Sequence, residues 1–250
     1  KNYPFWENVK TFAARAVRFA AETGRPRVAF ALNGSSGGEQ VSRVAEGILL
    51  GCYSFEKYKR KPARRFDDVE VVFWTGSAQA AQAELDRAQV FCNATNSVRD
   101  LVNEPGAVVT PAALVRRSQE LASQYALQIE IWDHDRLVQD RCTGLLHVGA
   151  GSKHPPYMMS LSYQPEQPSE IHLVMVGKGV TFDTGGISIK PGEKMGLMRG
   201  DMAGAAAVLG AMEILGQLKP SIRVTGIVVA AENGVDGNAI IKIGASRHPI

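Results

Sequence analysis

The sequence is short of the features that would classify it at once. Cysteine is scarce: Cys52, Cys92 and Cys142 are the only three, an odd and widely spaced set. That argues against a disulfide framework and for a reducing compartment. No two of them stand at zinc-ligand spacing. No apolar run is long enough to cross a bilayer as a helix. An excess of one charge is missing too. The 28 basic and 25 acidic residues leave a formal charge of +3, too balanced to imply a nucleic-acid partner. There is no internal repeat and no low-complexity tract. Histidine occurs five times without a His-Glu-x-x-His pair, and His134, His147, His154 and His172 stand in scattered contexts that read as structural. What is present is an ordinary globular composition, 45% hydrophobic and 21% charged over 250 residues. That length suffices for one large domain or two smaller ones, each with a core.

The chain opens on Lys1 rather than Met, as a processed or partial chain would. Residues 5–21 are amphipathic and carry Arg15 and Arg18, but Glu7 lies among them and Glu22 follows. Targeting segments are poor in acids, so this stretch reads as a surface helix. Residues 27–32 and 69–74 are short apolar runs closed by Asn33-Gly34 and Thr75-Gly76, and read as buried strands. Between them, Val41, Val44, Ala45, Ile48 and Leu49 share a helical face. A long helical stretch follows over 78–102. Strand, helix, strand, helix is the signature of a parallel α/β unit. Asn103-Glu104-Pro105-Gly106 ends the long helix, and a domain boundary is expected there, giving domains 1–104 and 105–250. Thr110 and Pro111 suit the N-cap and first turn of a helix running to about residue 125. Strands are expected at 127–132, 157–163, 171–176 and 223–230, with an Ala- and Gly-rich helix over 202–218.

The chemistry concentrates directly after the strand at 171–176. The run Gly177-Lys178-Gly179-Val180-Thr181-Phe182-Asp183-Thr184-Gly185-Gly186 reads as a glycine-rich loop, whose backbone can turn tightly and approach a ligand. It carries Lys178 and Asp183, and Lys190 follows in Ile187-Ser188-Ile189-Lys190-Pro191. Asp201 stands eighteen residues beyond Asp183, where it can cap the next helix or aim into a site above it. In open α/β sheets ligands gather at the carboxyl ends of strands. Two aspartates aimed at one spot suit a divalent ion such as Zn, Mn or Mg. A lysine can join them only as the neutral amine, a form that burial and an adjacent dication favour.

Val176 to Pro191 closely resembles a run of the leucine aminopeptidase (cytosol aminopeptidase) family, and so does Met198-Arg199-Gly200-Asp201-Met202-Ala203-Gly204-Ala205-Ala206. Upstream, the segments Ala45-Glu46-Gly47-Ile48-Leu49-Leu50-Gly51, Arg99-Asp100-Leu101-Val102-Asn103-Glu104-Pro105 and Val148-Gly149-Ala150-Gly151-Ser152 are also similar to family segments, in order. The resemblance implies an N-terminal α/β domain, partial here, linked by a long helix to a metallo-aminopeptidase α/β domain, also partial. It implies two divalent ions, Zn or Mn, with Lys178, Asp183 and Asp201 as ligands. It implies Lys190 as the catalytic lysine that stabilises the oxyanion, and Met198 as a wall of the substrate pocket. Removal of N-terminal residues, leucine among them, from peptides in the cytoplasm by a hexamer is the activity it implies.

The resemblance also implies a further ligand segment, Asn-Thr-Asp-Ala-Glu-Gly-Arg, and this sequence contains none. Family likeness runs through Ala230-Ala231-Glu232-Asn233 to Ala239 and then breaks at Ile240, so the chain reads as truncated at both ends. One lysine and two aspartates are expected to hold one ion weakly, or none. Impaired peptidase activity is therefore expected, and the alternative is an inactive scaffold or subunit of a larger assembly. Two rival motifs weigh less. Gly34-Ser35-Ser36-Gly37-Gly38 fits Gly-x-Ser-x-Gly, but no acid and histidine stand ready to activate Ser36, so a flexible turn is favoured. Lys57, Lys59, Arg60, Lys61, Arg64 and Arg65 form a basic cluster that reads as a solvated loop rather than a nucleic-acid or assembly contact.

Overall fold

The computed structural model describes residues 5–32, 37–60, 66 and 69–235. The chain forms two compact units, Lys1–Ser97 and Val98–Ile250.

In the first unit, α1 (Phe5–Glu22) packs on α2 (Gly37–Gly51), and β1 (Arg27–Ala31) pairs in parallel with β2 (Glu70–Trp74). Ala13 and Val17 of α1, Phe30 of β1 and Val44 of α2 are buried together. The parallel α/β unit read from the hydrophobic periodicity is thus present. Helix α3 (Ala78–Asn103) follows, and the division between the units falls inside it.

The second unit is built on a four-stranded sheet in the order β3 (Gln128–Trp132), β4 (Tyr157–Tyr163), β6 (Arg223–Asn233), β5 (His172–Asp183). The β3–β4 and β4–β6 pairs are antiparallel, and the β5–β6 pair is parallel. Helix α7 (Ala203–Leu218) makes the crossover between the two parallel strands that such a pair requires. Helix α4 (Pro111–Tyr125) starts as its sequence predicts. The Thr110 hydroxyl accepts from the Ala113 amide, and Pro111 occupies the first turn. Leu114, Ser118, Leu121 and Ala122, at helical spacing, are its buried face. Leu114, Leu121 and Ala122 join Met159 and Leu161 of β4, Val224 and Val228 of β6, and Ala205, Leu209 and Met212 of α7 in one core. Full burial of a leucine is worth roughly 1.5–3 kcal/mol, so Leu114 and Leu121 alone anchor α4. Two short helices, α5 (His134–Gln139) and α6 (Thr143–Gly149), lie where the periodicity gave no helix. Their six and seven residues are too few to show a stripe.

The stretch 176–183 is a strand rather than the glycine-rich loop the sequence suggested. β5 runs on to Asp183 and pairs with β6 from His172 to Val180 and again at Asp183. Its glycines serve packing. A Cβ on Gly177 would stand 2.6 Å from the Gly204 carbonyl oxygen, and one on Gly179 would stand 2.7 Å from that of Val229. Any side chain there would collide with backbone, so glycine lets α7 lie directly against the strand. No helix among the described residues is long and apolar enough to cross a membrane.

Candidate active site at the carboxyl ends of two parallel strands

Lys178 and Asp183 are five residues apart on β5, and in an unbroken strand such residues face opposite ways. The strand is broken. Val180 pairs with Ala231 and Asp183 with Asn233, so β5 takes three steps where β6 takes two. The extra residue is a bulge, and it restores the phase, putting Asp183 on the face that carries Lys178. Bulges commonly re-aim a side chain beside a functional site.

Two lysine–aspartate pairs result. The Lys178 Nζ donates to both carboxylate oxygens of Asp201, each at 2.7 Å. Asp201 closes the 3-10 turn Met195–Gly200 and precedes α7. Of the two options the sequence left for it, Asp201 takes the second: the helix start has no side-chain cap, and the carboxylate turns to Lys178. In the other pair the Lys190 Nζ donates to the Asp183 Oδ2 and lies 3.3 Å from the Met198 sulfur. The two pairs are joined through the backbone, because the Asp201 amide donates to the Met198 carbonyl at 3.2 Å.

Asp183 is the most heavily engaged of the four charged groups. Its Oδ1 accepts from the Gly185 amide at 3.0 Å and from the Asn233 Nδ2 at 2.7 Å. Burial pushes its carboxyl pKa up, but the Lys190 ammonium, the Gly185 amide and the Asn233 amide outweigh burial and hold it below the ordinary value. Gly185 and Gly186, at φ +89° and +67°, turn the chain away after Asp183. The Lys190 amide then donates to the Thr184 carbonyl at 2.9 Å, which brings Lys190 back to the strand end.

Beside this end of the sheet lies a cavity of about 540 Å³, bordered by Ser152, His154, Phe182, Thr184 and Glu232. Ser152 donates to Glu232 at 2.6 Å within it. Sequence reasoning quoted Asn233 and Ser152 as parts of family-like segments but gave neither a task. Nothing in the one-dimensional pattern marks a residue at the end of β6 as the neighbour of one at the end of β5.

The model of the cytosol aminopeptidase family, catalytic domain, matches residues 96–244. This chain belongs to the cytosol aminopeptidase family. It is similar to the probable cytosol aminopeptidase of Alkaliphilus metalliredigens, with 39% identity over 93% of this chain and 48% of the relative. It is likewise similar to that of Aquifex aeolicus, with 39% identity over 80% of this chain and 40% of the relative. A solved structure, the bottromycin maturation enzyme BotP in complex with Mn, superposes with a TM-score of 0.81 at 33% identity, over 96% of this chain and 50% of BotP. The chain therefore spans about half the length of the family members it matches.

The family implies metal ions. Carboxylates of Asp183 and Asp201 are the right oxygen donors for a divalent ion, with Lys178 able to join them as a neutral amine. Each aspartate is at present neutralised by a lysine. Among the described residues no group of three or more His, Cys, Asp or Glu side chains is placed to hold an ion. Two neighbouring dications need more anionic donors than that, so these residues do not fit a two-ion centre. Of the basic cluster, Lys61, Arg64 and Arg65 lie outside the described residues, as do the Ser35-Ser36 turn and the divergent tail from Ile240, while Lys59 pairs with Glu56 at 3.0 Å.

Proposed function

We propose that the chain is the portion of a metal-dependent aminopeptidase that carries its catalytic lysine and the first of its metal ligands. The reaction is removal of N-terminal residues, leucine-type among them, from peptides. The observation that supports it is the continuous chain of contacts Lys178–Asp201–Met198–Lys190–Asp183 at the carboxyl ends of β5 and β6 in a cytosol aminopeptidase. In this reading Lys190 remains an ammonium and faces the oxygen of the scissile carbonyl as negative charge develops on it. Met198, against the Lys190 amine, lines the pocket for the first side chain of the substrate. Lys178, Asp183 and Asp201 are ligands for Zn or Mn, a choice supported by the Mn complex of the similar BotP. The domain division at 104/105, the cytoplasmic location and a hexameric assembly belong to the same reading.

Because the described donors fall short of two ions, the 250-residue chain by itself should turn over poorly or not at all. The test is hydrolysis of leucine p-nitroanilide by the purified chain with added Mn²⁺ or Zn²⁺. A rate matching that of a full-length cytosol aminopeptidase would refute the expected impairment. A second reading, an inactive scaffold or subunit, is favoured by one observation: both aspartates already have lysine counter-charges. Calorimetric titration separates the two. Heat of binding at a stoichiometry near one supports the impaired enzyme, and none supports the scaffold.

A further inference from the structure

The geometry points to Asn233 as a positioning residue that fixes the Asp183–Lys190 pair. Asn233 ends β6 and stands directly across from Asp183 of β5 in the strand register. Its Nδ2 donates to the Asp183 Oδ1 at 2.7 Å, leaving the other oxygen to Lys190. Its backbone carbonyl accepts twice from Thr184, from the amide at 2.8 Å and from the hydroxyl at 2.9 Å. The Thr184 carbonyl in turn takes the Lys190 amide. One residue thus holds the aspartate by its side chain and the lysine-bearing loop by its main chain.

The fit around the amide is close. A Cβ on Gly186 would come within 2.9 Å of the Asn233 Oδ1, so the residue opposite must be glycine for the amide to keep its orientation. With Oδ1 turned to Gly186 and Nδ2 to Asp183, the carboxylate cannot rotate without losing a donor. Among the described residues the Lys178–Asp201 pair has no such brace: the Asp201 carboxylate is met by Lys178 on both oxygens. The functional meaning of Asn233 rests on the proposed role of Lys190 and Asp183, whereas its positioning action does not.

The test therefore uses no metal and no substrate. Competitive trace labelling of lysine amines, read by mass spectrometry, compares Lys190 with Lys178 in the 250-residue chain and in its Asn233→Ala and Asn233→Leu variants. Leucine keeps the size of asparagine and removes the donor without adding a charge, so it carries the test if the alanine variant fails to fold. We expect the Lys190 labelling rate to rise severalfold relative to Lys178 in both variants, with Gly185 losing amide-exchange protection while Val228 in mid-strand keeps its own. Equal changes at the two lysines would mean general loosening, and unchanged labelling would mean that Asp183 holds Lys190 unaided. Either result overturns the proposal. Failure of the peptidase reading would appear separately, as absent turnover in the complete enzyme.

Discussion

The two lysine–aspartate pairs at the strand ends use the same chemistry in opposite arrangements. In one, the lysine is on the strand and the aspartate on the following turn; in the other the aspartate is on the strand and the lysine comes round from the loop. Lys178 and Asp201 are 61% and 24% exposed, against 38% and 16% for Lys190 and Asp183. Among the described residues Asp183 accepts from three residues, where the Asp201 carboxylate accepts from Lys178 alone. An exposed ion pair is a weak and salt-sensitive contact, whereas a shielded carboxylate with several donors is costly to disturb. Ordinary sequence reading ranks the pairs as equals. The structure makes one a fixed part of the scaffold and leaves the other free to exchange its counter-charge.

The comparison breaks most completely if the strand that bears both pairs is displaced. Gly179→Val would drive a side chain into the Val229 carbonyl and the Ala205 methyl, 2.7 and 3.1 Å from the Cβ position. Overpacking against backbone of this kind should cost about 3 kcal/mol. Urea unfolding of the variant measures it, and a cost near zero would mean that β5 does not lie against α7 as described. Next in size is Asp183→Asn. It removes the charge that Lys190 faces and puts an amide where Asn233 and Gly185 both donate. Loss of charge-assisted hydrogen bonds at a shielded site should cost about 2 kcal/mol.

Much of the fold was legible because it follows from periodicity. Strands at 27–31, 70–74, 128–132 and 157–163, the amphipathic α1 and α2, and the Thr110-Pro111 start of α4 all obey local rules. Reading failed where a residue type had two uses. Gly177 and Gly179 look like loop glycines, yet they are strand residues cleared for a neighbouring helix and strand, a reason that lies 25 residues or more away in Gly204, Ala205 and Val229. The bulge after Val180 cannot be read from one strand, because it is a mismatch between two. The candidate site came from the glycine-rich run and the resemblance of its motifs, since no local rule marks Lys178 and Asp183 as neighbours on one face of a strand. Asn233 stayed hidden for the same reason as the bulge.

Acid should single out the braced pair. The folded carboxyl of Asp183 titrates below its ordinary value, so its contribution to stability is complete above the unfolded carboxyl pKa, about 3.9, and fades as pH falls from there through the folded value. The difference in melting temperature between the native chain and Asp183→Asn should therefore be constant from pH 7 to about 5 and shrink below about pH 4. A difference that instead shrinks between pH 8 and 6 would assign the effect to some other group.

The smallest expected effect belongs to the exposed pair, and it sharpens the contrast. Lys178→Met keeps the length of the side chain while removing the ammonium. Because the Lys178 side chain is mostly exposed, loss of its ammonium should cost less than about 1 kcal/mol. Whatever cost appears at low ionic strength should fall further in 1 M salt, where the Debye length is about 3 Å. Asp183→Asn, at a shielded site, should keep most of its cost under the same conditions. Urea melts of both variants at low and high salt measure the four quantities together. If Lys178→Met cost as much as Asp183→Asn and resisted salt equally, the two pairs would be alike after all. Lys178 would then be held too firmly to release Asp201 to an incoming cation.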